Sequence, residues 1–403
     1  MSDLESRYVD LHRNPELSFE EHRTAGIGAD ALRAAGCEVT TGIGRTGVAG
    51  VLRNGAGPTV LLRADMDALP VREETGLSYA STRVATNSQG IEVPVAHACG
   101  HDMHVTWLLG AAESLAARRD SWSGTILFVL QPAEEAGGGA RAMVEDGLFD
   151  RFGTPDVALG QHLAPMPAGH VLTRSGLAMS ASDTLHVRLF GRGGHGSRPE
   201  ATVDPVVLAA STVLRLQTVV SREIGATDAA VVTVGAMNAG AKENVIPDEA
   251  ELQLSIRSFT EPVREKVNEA VRRIVRAEST ASAAPREPEI TATASYPPTV
   301  NDEAATEALT ARFREEFGPD QVHDGPLITG SEDFGEFGRA AGVPSVFWFV
   351  GGIDPARFAA DGTLAPGPDV PSNHSAQFAP TLHPTIDTGV RTLVTAALSY
   401  LHN

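Results

Sequence analysis

Cysteine is scarce in the sequence, with two residues, Cys37 and Cys99, in a chain of 403. Two cysteines do not provide the disulfide framework that stabilises small secreted domains. If Cys99 has a chemical role, the simplest interpretation of Cys37 is a buried thiol. The sequence therefore gives no reason to expect a disulfide-stabilised fold.

Basic residues are few relative to acidic ones, with 32 Lys and Arg against 51 Asp and Glu and a formal charge of −19. A protein that binds nucleic acid needs a basic stripe to replace the counterions of the phosphates, and this chain has none. We therefore expect no nucleic acid partner. A small anionic substrate remains compatible with this charge, because one buried arginine can bind a carboxylate.

Long apolar runs are also lacking, since no run approaches the roughly 20 residues needed to cross a bilayer. The first residues, MSDLESRYVD, are charged and lack the apolar core of a signal peptide. We expect a soluble, cytoplasmic protein that does not bind membranes. Its length and its 42% hydrophobic content allow two or three domains with substantial cores.

Helices and buried strands are indicated on both sides of the middle of the chain. Ser18 and Glu21 stand in the S-x-x-E spacing of a capping box, and Gly36 stands where that helix would end. The predicted helices cover residues 18–35, 101–118 and 383–402. Apolar runs typical of the buried strands of α/β proteins occupy residues 48–52, 59–62, 125–130, 156–160 and 344–350.

A different pattern occupies the middle of the chain. Strand, helix, strand, strand, helix and strand patterns follow one another at residues 184–190, 203–222, 230–234, 249–258, 261–276 and 288–294. This βαββαβ order is the ferredoxin-like arrangement. We predict an α/β protein whose mainly parallel sheet lies in residues 1–180 and 295–403, with an inserted ferredoxin-like α+β domain at 181–294. The stretch 277–288 is predicted to be a solvated loop.

The stretch VAHACGHDMHV, residues 95–105, concentrates the side chains with metal-binding chemistry. Five of its side chains can bind a metal or orient a ligand: His97, Cys99, His101, Asp102 and His104. A cysteine and a histidine two residues apart suit Zn²⁺ or a similar borderline metal. The alternative is a turn whose histidines only cap the helix that follows.

Four further polar residues come directly after predicted strands: Asp65, Glu134, Glu135 and His162. Open α/β sheets bind their ligands at the carboxyl ends of the strands, so we expect these residues to converge there. Adjacent side chains point to opposite sides of an extended backbone, so one glutamate can ligate a metal while the other faces a bound water as a base. The alternatives are a solvated acidic pair and, for His162 and the later His374, structural histidines.

Nine motifs spread over nearly the whole chain carry a resemblance to a known family. They are LHRNPELSFEE at Leu11, RADMDALP at Arg63, HACGHDMH at His97, QPAEE at Gln131, GQH at Gly160, GRGGHGSRP at Gly191, ENVIP at Glu243, GSEDF at Gly330 and NHS at Asn373. With these motifs the sequence resembles the amidohydrolase branch of the aminoacylase/carboxypeptidase metallopeptidase family, which includes hippurate hydrolases and auxin-conjugate hydrolases. No metal position departs from the family pattern.

The resemblance implies a site with two divalent metal ions per subunit. The ligands that it implies are Cys99, His101, Glu135, His162 and His374. It implies Glu134 as the general base, and Asp65 and Asp67 as residues that orient the ligands. For these two aspartates the alternative is an exposed strand end. Zn²⁺ is the expected metal, with Mn²⁺, Co²⁺ and Ni²⁺ as alternatives among which a sequence cannot choose.

The resemblance also implies that the inserted domain forms a homodimer and acts as a lid. It implies that His195, in a glycine-rich loop, and Asn244 serve the active site of the partner subunit. Arg257 is implied to bind a substrate carboxylate with its fork of donors. Without the resemblance, the simpler interpretation of Arg257 is an exposed position on an alternating strand.

These expectations combine to predict a metal-dependent amidohydrolase. It would cleave the amide bond of a small N-acyl-L-amino acid, with Glu134 as base and His195 stabilising the oxyanion, and release a carboxylic acid and an amino acid. A dipeptidase or carboxypeptidase of the same family is one alternative. A non-catalytic metal- or amino-acid-binding relative is another, and Glu134 argues against it because a binding protein needs no base beside its metal. Loops 73–95 and 351–372 are expected to set the substrate preference.

Overall fold

The computed structural model describes residues 3–358, 364 and 367–401, and in it the chain folds into two compact units. The larger unit contains the chain up to Ala178, the segment Val300–Pro326 and the chain from Asp333 onward. The smaller unit contains Met179–Thr299 and Leu327–Glu332. The roles of the two units as catalytic domain and lid stay predictions.

Ten α-helices occur in the described residues, and none of them is both long and apolar enough to cross a membrane. They are α1 (Asp3–Arg13), α2 (His22–Ala34), α3 (His101–Ala117), α4 (Gly139–Glu145), α5 (Leu148–Phe152), α6 (Pro205–Thr218), α7 (Glu261–Ala281), α8 (Glu303–Phe317), α9 (Gly335–Ala341) and α10 (Thr385–Leu398). The helix predicted over 101–118 is confirmed as α3. The helix predicted over 383–402 is confirmed as α10 between Thr385 and Leu398, and residue 402 lies outside the described residues.

Eighteen β-strands occur in the described residues. They are β1 (Glu38–Ile43), β2 (Gly47–Asn54), β3 (Thr59–Asp65), β4 (Val84–Thr86), β5 (Glu92–Pro94), β6 (Gly124–Gln131), β7 (Val157–Pro167), β8 (Val171–Thr173), β9 (Gly176–Met179), β10 (Ala181–Phe190), β11 (Gly194–His195), β12 (Ala230–Ala239), β13 (Val245–Ile246), β14 (Glu249–Ser258), β15 (Glu289–Tyr296), β16 (Thr299–Asn301), β17 (Val322–Asp324) and β18 (Ser345–Ile353). The five predicted apolar runs form β2, β3, β6, β7 and β18. Residues 359–363, 365 and 366 of the predicted loop 351–372 lie outside the described residues.

The larger unit is built on an eight-stranded sheet in the order β1-β2-β6-β3-β7-β18-β8-β17. Its centre, from β6 through β3 and β7 to β18, is parallel, and antiparallel pairs join β1 to β2, β2 to β6 and β18 to β8. Val60, Leu61 and Leu62 of β3 are fully buried, as expected for a strand covered on both faces. The predicted α/β class with a mainly parallel sheet is confirmed.

Helix α3 begins inside the HACGHDMH motif, at His101, and contacts the central strands β3 and β7. It follows Gly100, which has a φ of +86°, and a Cβ there would lie 2.5 Å from Leu163 Cδ2. Glycine is therefore required both for the left-handed turn and for the close approach of β7. The turn places His101 and His104 in the first turn of the helix, where both are buried.

Strand β7 is longer than predicted, and its length changes the position of His162. β7 pairs with β3 as far as Gly160, opposite Arg63, and then continues beside β18 to Pro167. The expectation that His162 follows the end of a strand is therefore wrong, because it lies within β7. It still reaches the carboxyl end of β3, since it lies beyond the part of β7 that pairs with β3.

The predicted capping box at Ser18 and Glu21 is wrong. Helix α2 begins at His22, and the side chain of Glu21 makes no cap hydrogen bond to it. Ser18 instead donates its hydroxyl to Asp67 at 2.6 Å, and the buried Glu21 accepts the backbone N–H of Ala133 at 2.8 Å. Both side chains therefore bind partners far away in the sequence instead of the helix end.

The smaller unit has its own sheet and its own core. Its four strands lie in the order β12-β14-β10-β15, all antiparallel, and α6 and α7 cover one face around the buried Leu185, Leu254 and Val271. The predicted βαββαβ order is confirmed. The prediction of a loop over 277–288 is wrong in its first part, because α7 continues to Ala281.

Helix α10 packs against α3, and this contact yields a first prediction. A Cβ at Gly389 would lie 2.1 Å from Cε2 of Trp107, whose Nε1–H donates to the carbonyl of Thr385 at 2.9 Å. The ring cannot move away without losing that buried hydrogen bond. We predict that Gly389→Ala lowers the free energy of unfolding by about 1–3 kcal/mol, the usual cost of overpacking. Denaturant unfolding measures this change.

Gly26→Ala in α2 is the matched control. Gly26 is exposed, and nothing lies within 4 Å of a Cβ built there. This substitution should raise the free energy of unfolding by up to about 1 kcal/mol, because alanine favours a helix over glycine. Equal effects of the two substitutions would contradict the close contact between α10 and α3.

Candidate metal centre

Asp65, the last residue of β3, is a fully buried carboxylate. Its Oδ1 accepts a hydrogen bond from His104 Nδ1 at 2.5 Å, and its Oδ2 lies 2.9 Å from the guanidinium of Arg63, which is also fully buried. Burial alone would raise the pKa of Asp65, but Arg63, His101 and His104 hold it well below its ordinary value. Asp65 therefore stays charged and fixes the orientation of His104.

Asp67 is a second buried carboxylate, two residues after Asp65. It accepts hydrogen bonds from the hydroxyl of Ser18 at 2.6 Å and from Nδ1 of His101 at 3.3 Å. It also accepts the backbone N–H groups of Glu134 at 3.1 Å and Glu135 at 3.0 Å. One side chain thus orients a predicted ligand and fixes the backbone of the two glutamates. An exposed strand end is excluded for both aspartates.

Glu134 and Glu135 lie in a turn, not in extended backbone. The turn is closed by a hydrogen bond from the Gly137 N–H to the Glu134 carbonyl at 2.8 Å, and it follows Ala133, which has a φ of +50°. The expectation that an extended strand sends the two carboxylates to opposite sides is therefore wrong. Glu134 is 5% exposed, and Glu135 is partly buried. A solvated acidic pair is excluded.

Cys99, His162 and His374 complete the group. Sγ of Cys99 lies 3.5 Å from Nε2 of His162, whose Nδ1–H donates to the carbonyl of Leu163 at 2.7 Å. His374 donates its backbone N–H to the carbonyl of Ala98 at 2.7 Å, and its Nε2 lies 3.3 Å from Oε1 of Glu135. The structure thus brings all five predicted ligands together with Glu134.

Two buried atoms of this group have no hydrogen-bond partner in the described chain: Nε2 of His101 and Oε1 of Glu135, which lie 3.8 Å apart. Two sets of ligand atoms each lie within 4.8 Å of one another: one is Cys99, Glu135 and His374, and the other is His101, Glu134 and Glu135. Buried polar atoms are normally hydrogen-bonded, and a cation bound among these side chains would give both atoms a partner. A cation within each set fits this requirement.

The electrostatics of the group also favour a cation. Burial opposes protonation of His101, but the charge of Asp65 and the hydrogen bond to Asp67 outweigh it and raise the pKa of His101 to about 10. Burial, together with the charges of Glu135 and Glu134, raises the pKa of the Cys99 thiol well above its ordinary value. A divalent ion would replace the protons that these carboxylates retain at both residues.

Two histidines of the motif differ from the ligands. His104 belongs to a third set, with Asp65, His101 and His162, but both of its nitrogens are used, since Nε2 accepts the Leu163 N–H at 2.8 Å. Burial lowers the pKa of His97 to about 4, so this ring is neutral. For His104 the sequence left open whether it binds a metal or orients a ligand. Its spacing of three residues from His101 on a helix would have shown that they share a face.

In the smaller unit, His195 and Asn244 lie on neighbouring segments. His195 pairs with Val245, and the N–H of Gly196 donates to the carbonyl of Asn244 at 2.9 Å. Nδ1 of the exposed His195 accepts the Ser197 N–H at 3.1 Å and faces the Ser197 hydroxyl at 2.8 Å. Since a backbone N–H can only donate, the proton of the neutral ring lies on Nε2.

Arg257 lies on β14, on the face opposite the apolar core of the smaller unit, and is partly buried. Its Nη1 donates to the hydroxyl of Ser331 at 2.6 Å. The simpler interpretation of an exposed position on an alternating strand is therefore wrong in its first part, because the side chain is partly buried and one end of the guanidinium is held. The rest of the fork remains a candidate for binding a carboxylate.

Two named proteins are similar to the chain over most of its length. It is 40% identical over 331 residues to the hippurate hydrolase of Campylobacter jejuni, and this match covers 81% of this chain and 82% of that protein. It is 36% identical over 373 residues to thermostable carboxypeptidase 2 of Saccharolobus solfataricus, and this match covers 91% of this chain and 88% of that protein.

A solved structure has a similar fold over nearly the whole chain. The YXEP protein of Bacillus subtilis, described as a dinuclear metal-binding peptidase of the M20 family, is 27% identical with a TM-score of 0.74, and the match covers 98% of this chain and 96% of that one. Residues 61–361 match the peptidase family M20/M25/M40. The resemblance predicted from the motifs is thereby confirmed, and the chain belongs to peptidase family M20/M25/M40.

Proposed function

We propose that the protein is a metal-dependent amidohydrolase that cleaves N-acyl-L-amino acids into a carboxylic acid and a free amino acid. The observation that carries this proposal is the pair of unpartnered buried atoms, Nε2 of His101 and Oε1 of Glu135, beside Glu134. Metal-assisted hydrolysis needs a cation site and a base next to each other. The similarity to a hippurate hydrolase supports an N-acyl amino acid as the substrate class.

Five side chains hold the two metal ions in this proposal: Cys99, His101, Glu135, His162 and His374. One thiol, three imidazoles and one carboxylate suit Zn²⁺ better than Mg²⁺ or Ca²⁺, which prefer oxygen ligands. Zn²⁺ is therefore the proposed metal, with Mn²⁺, Co²⁺ and Ni²⁺ as alternatives. When bound, such ions polarise a carbonyl group and make water a better nucleophile at neutral pH.

Glu134 is the general base in this proposal. Its carboxylate is buried, and its backbone is held by Asp67, so the side chain starts from a fixed point. A carboxylate in this position takes a proton from the attacking water and passes it to the leaving amine. The same group thus serves both proton transfers that amide hydrolysis requires.

The smaller unit contributes the remaining proposed roles. His195 donates its Nε2–H to the carbonyl oxygen of the substrate as negative charge develops there. The hydrogen bonds of Ser197 at Nδ1 support this role, because they select the tautomer that has a donor at Nε2. Asn244, beside the His195 loop, binds the substrate through its amide. Arg257 binds the carboxylate of the amino acid.

A homodimer through the smaller unit is part of the proposal. Val207 and Leu214 of α6 are 65% and 73% exposed, and β12, an edge strand, exposes Val231 and Met237. Exposed apolar side chains beside an unpaired strand edge are typical of a surface that another chain covers. A second copy is the proposed partner, because identical surfaces can pair about a twofold axis.

A carboxypeptidase or dipeptidase is the second candidate, and the similarity to thermostable carboxypeptidase 2 favours it. The two functions share the metal centre and differ in what occupies the acyl side of the scissile bond. Rates on N-acetyl and N-benzoyl amino acids, compared with rates on dipeptides of the same C-terminal residues, decide between them.

The first prediction from the site concerns the metal. Dialysis against a chelator should abolish hydrolysis of N-acyl amino acids, and Zn²⁺ or another transition metal should restore it. Cys99→Ser should lower the metal content, because an alcohol stays protonated where a thiol ionises. Cys37→Ser is the matched control, since Cys37 lies just before β1 and is buried in the apolar core of the larger unit, away from the proposed ligands. Elemental analysis that finds no transition metal in active protein would contradict the proposal.

The second prediction separates the base from the ligand. Glu134→Gln preserves the size of the side chain, so it should retain metal and lose turnover by about a hundredfold or more. Glu135→Gln should lose metal as well as turnover. Metal content and kcat of the two purified variants provide the measurement. Equal metal content and equal rates would show that the two residues do not have the proposed separate roles.

The third prediction concerns the proposal that His195 of one subunit acts in the active site of the other. Glu134→Gln and His195→Ala should each be inactive as homodimers. A heterodimer of the two should recover activity at one site, where Glu134 of one chain meets His195 of the other. A heterodimer of Glu134→Gln and Glu135→Gln is the control, because it has no intact site in either arrangement. Verified mixed dimers without recovered activity would exclude the shared site.

A further inference from the structure

Glu21 has a role that neither the metal centre nor helix capping explains. It is fully buried at the position before α2. Its Oε1 accepts the backbone N–H of Phe19 at 2.9 Å and that of Ala133 at 2.8 Å, and its Oε2 accepts the hydroxyl of Thr46 at 2.5 Å. The carboxylate thus joins three segments of the larger unit that are distant in sequence.

Both backbone donors to Oε1 belong to residues in an unfavourable conformation. Phe19 has a φ of +65° and Ala133 a φ of +50°, in a region that residues other than glycine rarely occupy. Such conformations cost on the order of 1–3 kcal/mol each and persist only where the surroundings hold them. The hydrogen bonds to Glu21 are a direct means of holding them.

Three successive backbone N–H groups at the start of the turn that contains Glu134 donate hydrogen bonds to carboxylates. Glu21 accepts the N–H of Ala133, and Asp67 accepts those of Glu134 and Glu135. Asp67 also binds His101, so its removal would disturb the metal centre directly. Glu21 makes none of its described hydrogen bonds to a proposed ligand. Its contribution to the turn can therefore be tested separately from metal binding.

The protonation of Glu21 determines which substitution resembles it. Burial, together with the charge of Asp67, raises the pKa of Glu21 to about 7. The carboxyl group is therefore partly protonated at neutral pH, and a neutral amide of the same size and shape is a close substitute for it. Glutamine can still accept the N–H groups of Phe19 and Ala133 with its oxygen, and its NH₂ can donate to the Thr46 hydroxyl. Methionine fills a similar volume without accepting strong hydrogen bonds.

We propose that Glu21 is a positioning residue for the general base, which holds Ala133 in its left-handed conformation and so directs the Glu134 carboxylate. This inference rests on the proposed function for the role of Glu134. Ala133, which donates to Glu21, directly precedes Glu134 in the chain. Loss of this hydrogen bond therefore allows the backbone at the start of the turn to change conformation. Misplacement of a catalytic group by about 1 Å can reduce the rate by about a hundredfold.

The test compares Glu21→Met with Glu21→Gln in metal-loaded enzyme. Glu21→Met should lower kcat by roughly ten- to a hundredfold with little change in KM or metal content. Glu21→Gln should retain kcat within about threefold, because it keeps the acceptor at Ala133. Equal rates of the two variants would show that Glu21 only fills volume, and loss of metal in both would show that it supports the ligands instead.

Glu20 provides the matched controls. Its side chain is 69% exposed, and it precedes Glu21 directly. Glu20→Met and Glu20→Gln should both leave kcat, KM and metal content unchanged. A loss of kcat in Glu20→Met as large as that in Glu21→Met would overturn the assignment to Glu21.

A second readout does not depend on the reaction. In protein labelled with ¹⁵N-alanine, the amide of Ala133 should exchange with solvent faster in Glu21→Met than in the wild type or in Glu21→Gln. Unchanged exchange in Glu21→Met would overturn the proposed contact. Faster exchange in a protein whose wild type hydrolyses no N-acyl amino acid would retain the anchoring role and reject the proposed function.

Discussion

The candidate metal centre depends on the burial of Asp65 and Asp67 at the carboxyl end of β3. Removing a carboxylate from water costs several kcal/mol, and the cost is offset only if the charge is paired and its oxygens accept hydrogen bonds. Arg63 and His104 meet this requirement at Asp65, and Ser18, His101 and two backbone N–H groups meet it at Asp67. Ser18, α3 and the turn at Glu134 therefore converge on one strand end, where they supply the partners that two buried carboxylates require.

The fold supplies this convergence through strand geometry. In the parallel centre of the sheet, β3 and β6 end at the same edge, so Asp65 and the turn after Gln131 meet there. β7 extends past that edge beside β18 and so places His162 over the end of β3. A strand that ended with its neighbours would leave this position to a loop. The additional length of β7 gives the histidine a rigid support, which favours a fixed ligand geometry.

Regular elements and the grouping of the five proposed ligands could be predicted from the sequence, whereas local backbone conformations could not. Apolar runs mark β3 and β6 because strands covered on both faces must be apolar along their length. The S-x-x-E spacing of Ser18 and Glu21 predicted a helix cap, but both side chains instead form hydrogen bonds with residues distant in sequence. Likewise, the turn at Glu134 results from acceptors that lie 67 and 112 residues away. Such competition between local and distant partners leaves no periodic pattern in a sequence.

The histidines show how backbone contacts can determine chemistry that residue identity leaves open. At His162, a carbonyl group accepts from Nδ1, so the lone pair of Nε2 is exposed toward Cys99, as a metal ligand requires. At His195, a backbone N–H donates to Nδ1, so the proton lies on Nε2, as an oxyanion donor requires. The two rings have opposite tautomers because Nδ1 faces an acceptor in one case and a donor in the other. A histidine in a motif is therefore compatible with either role until the partner of its second nitrogen is known.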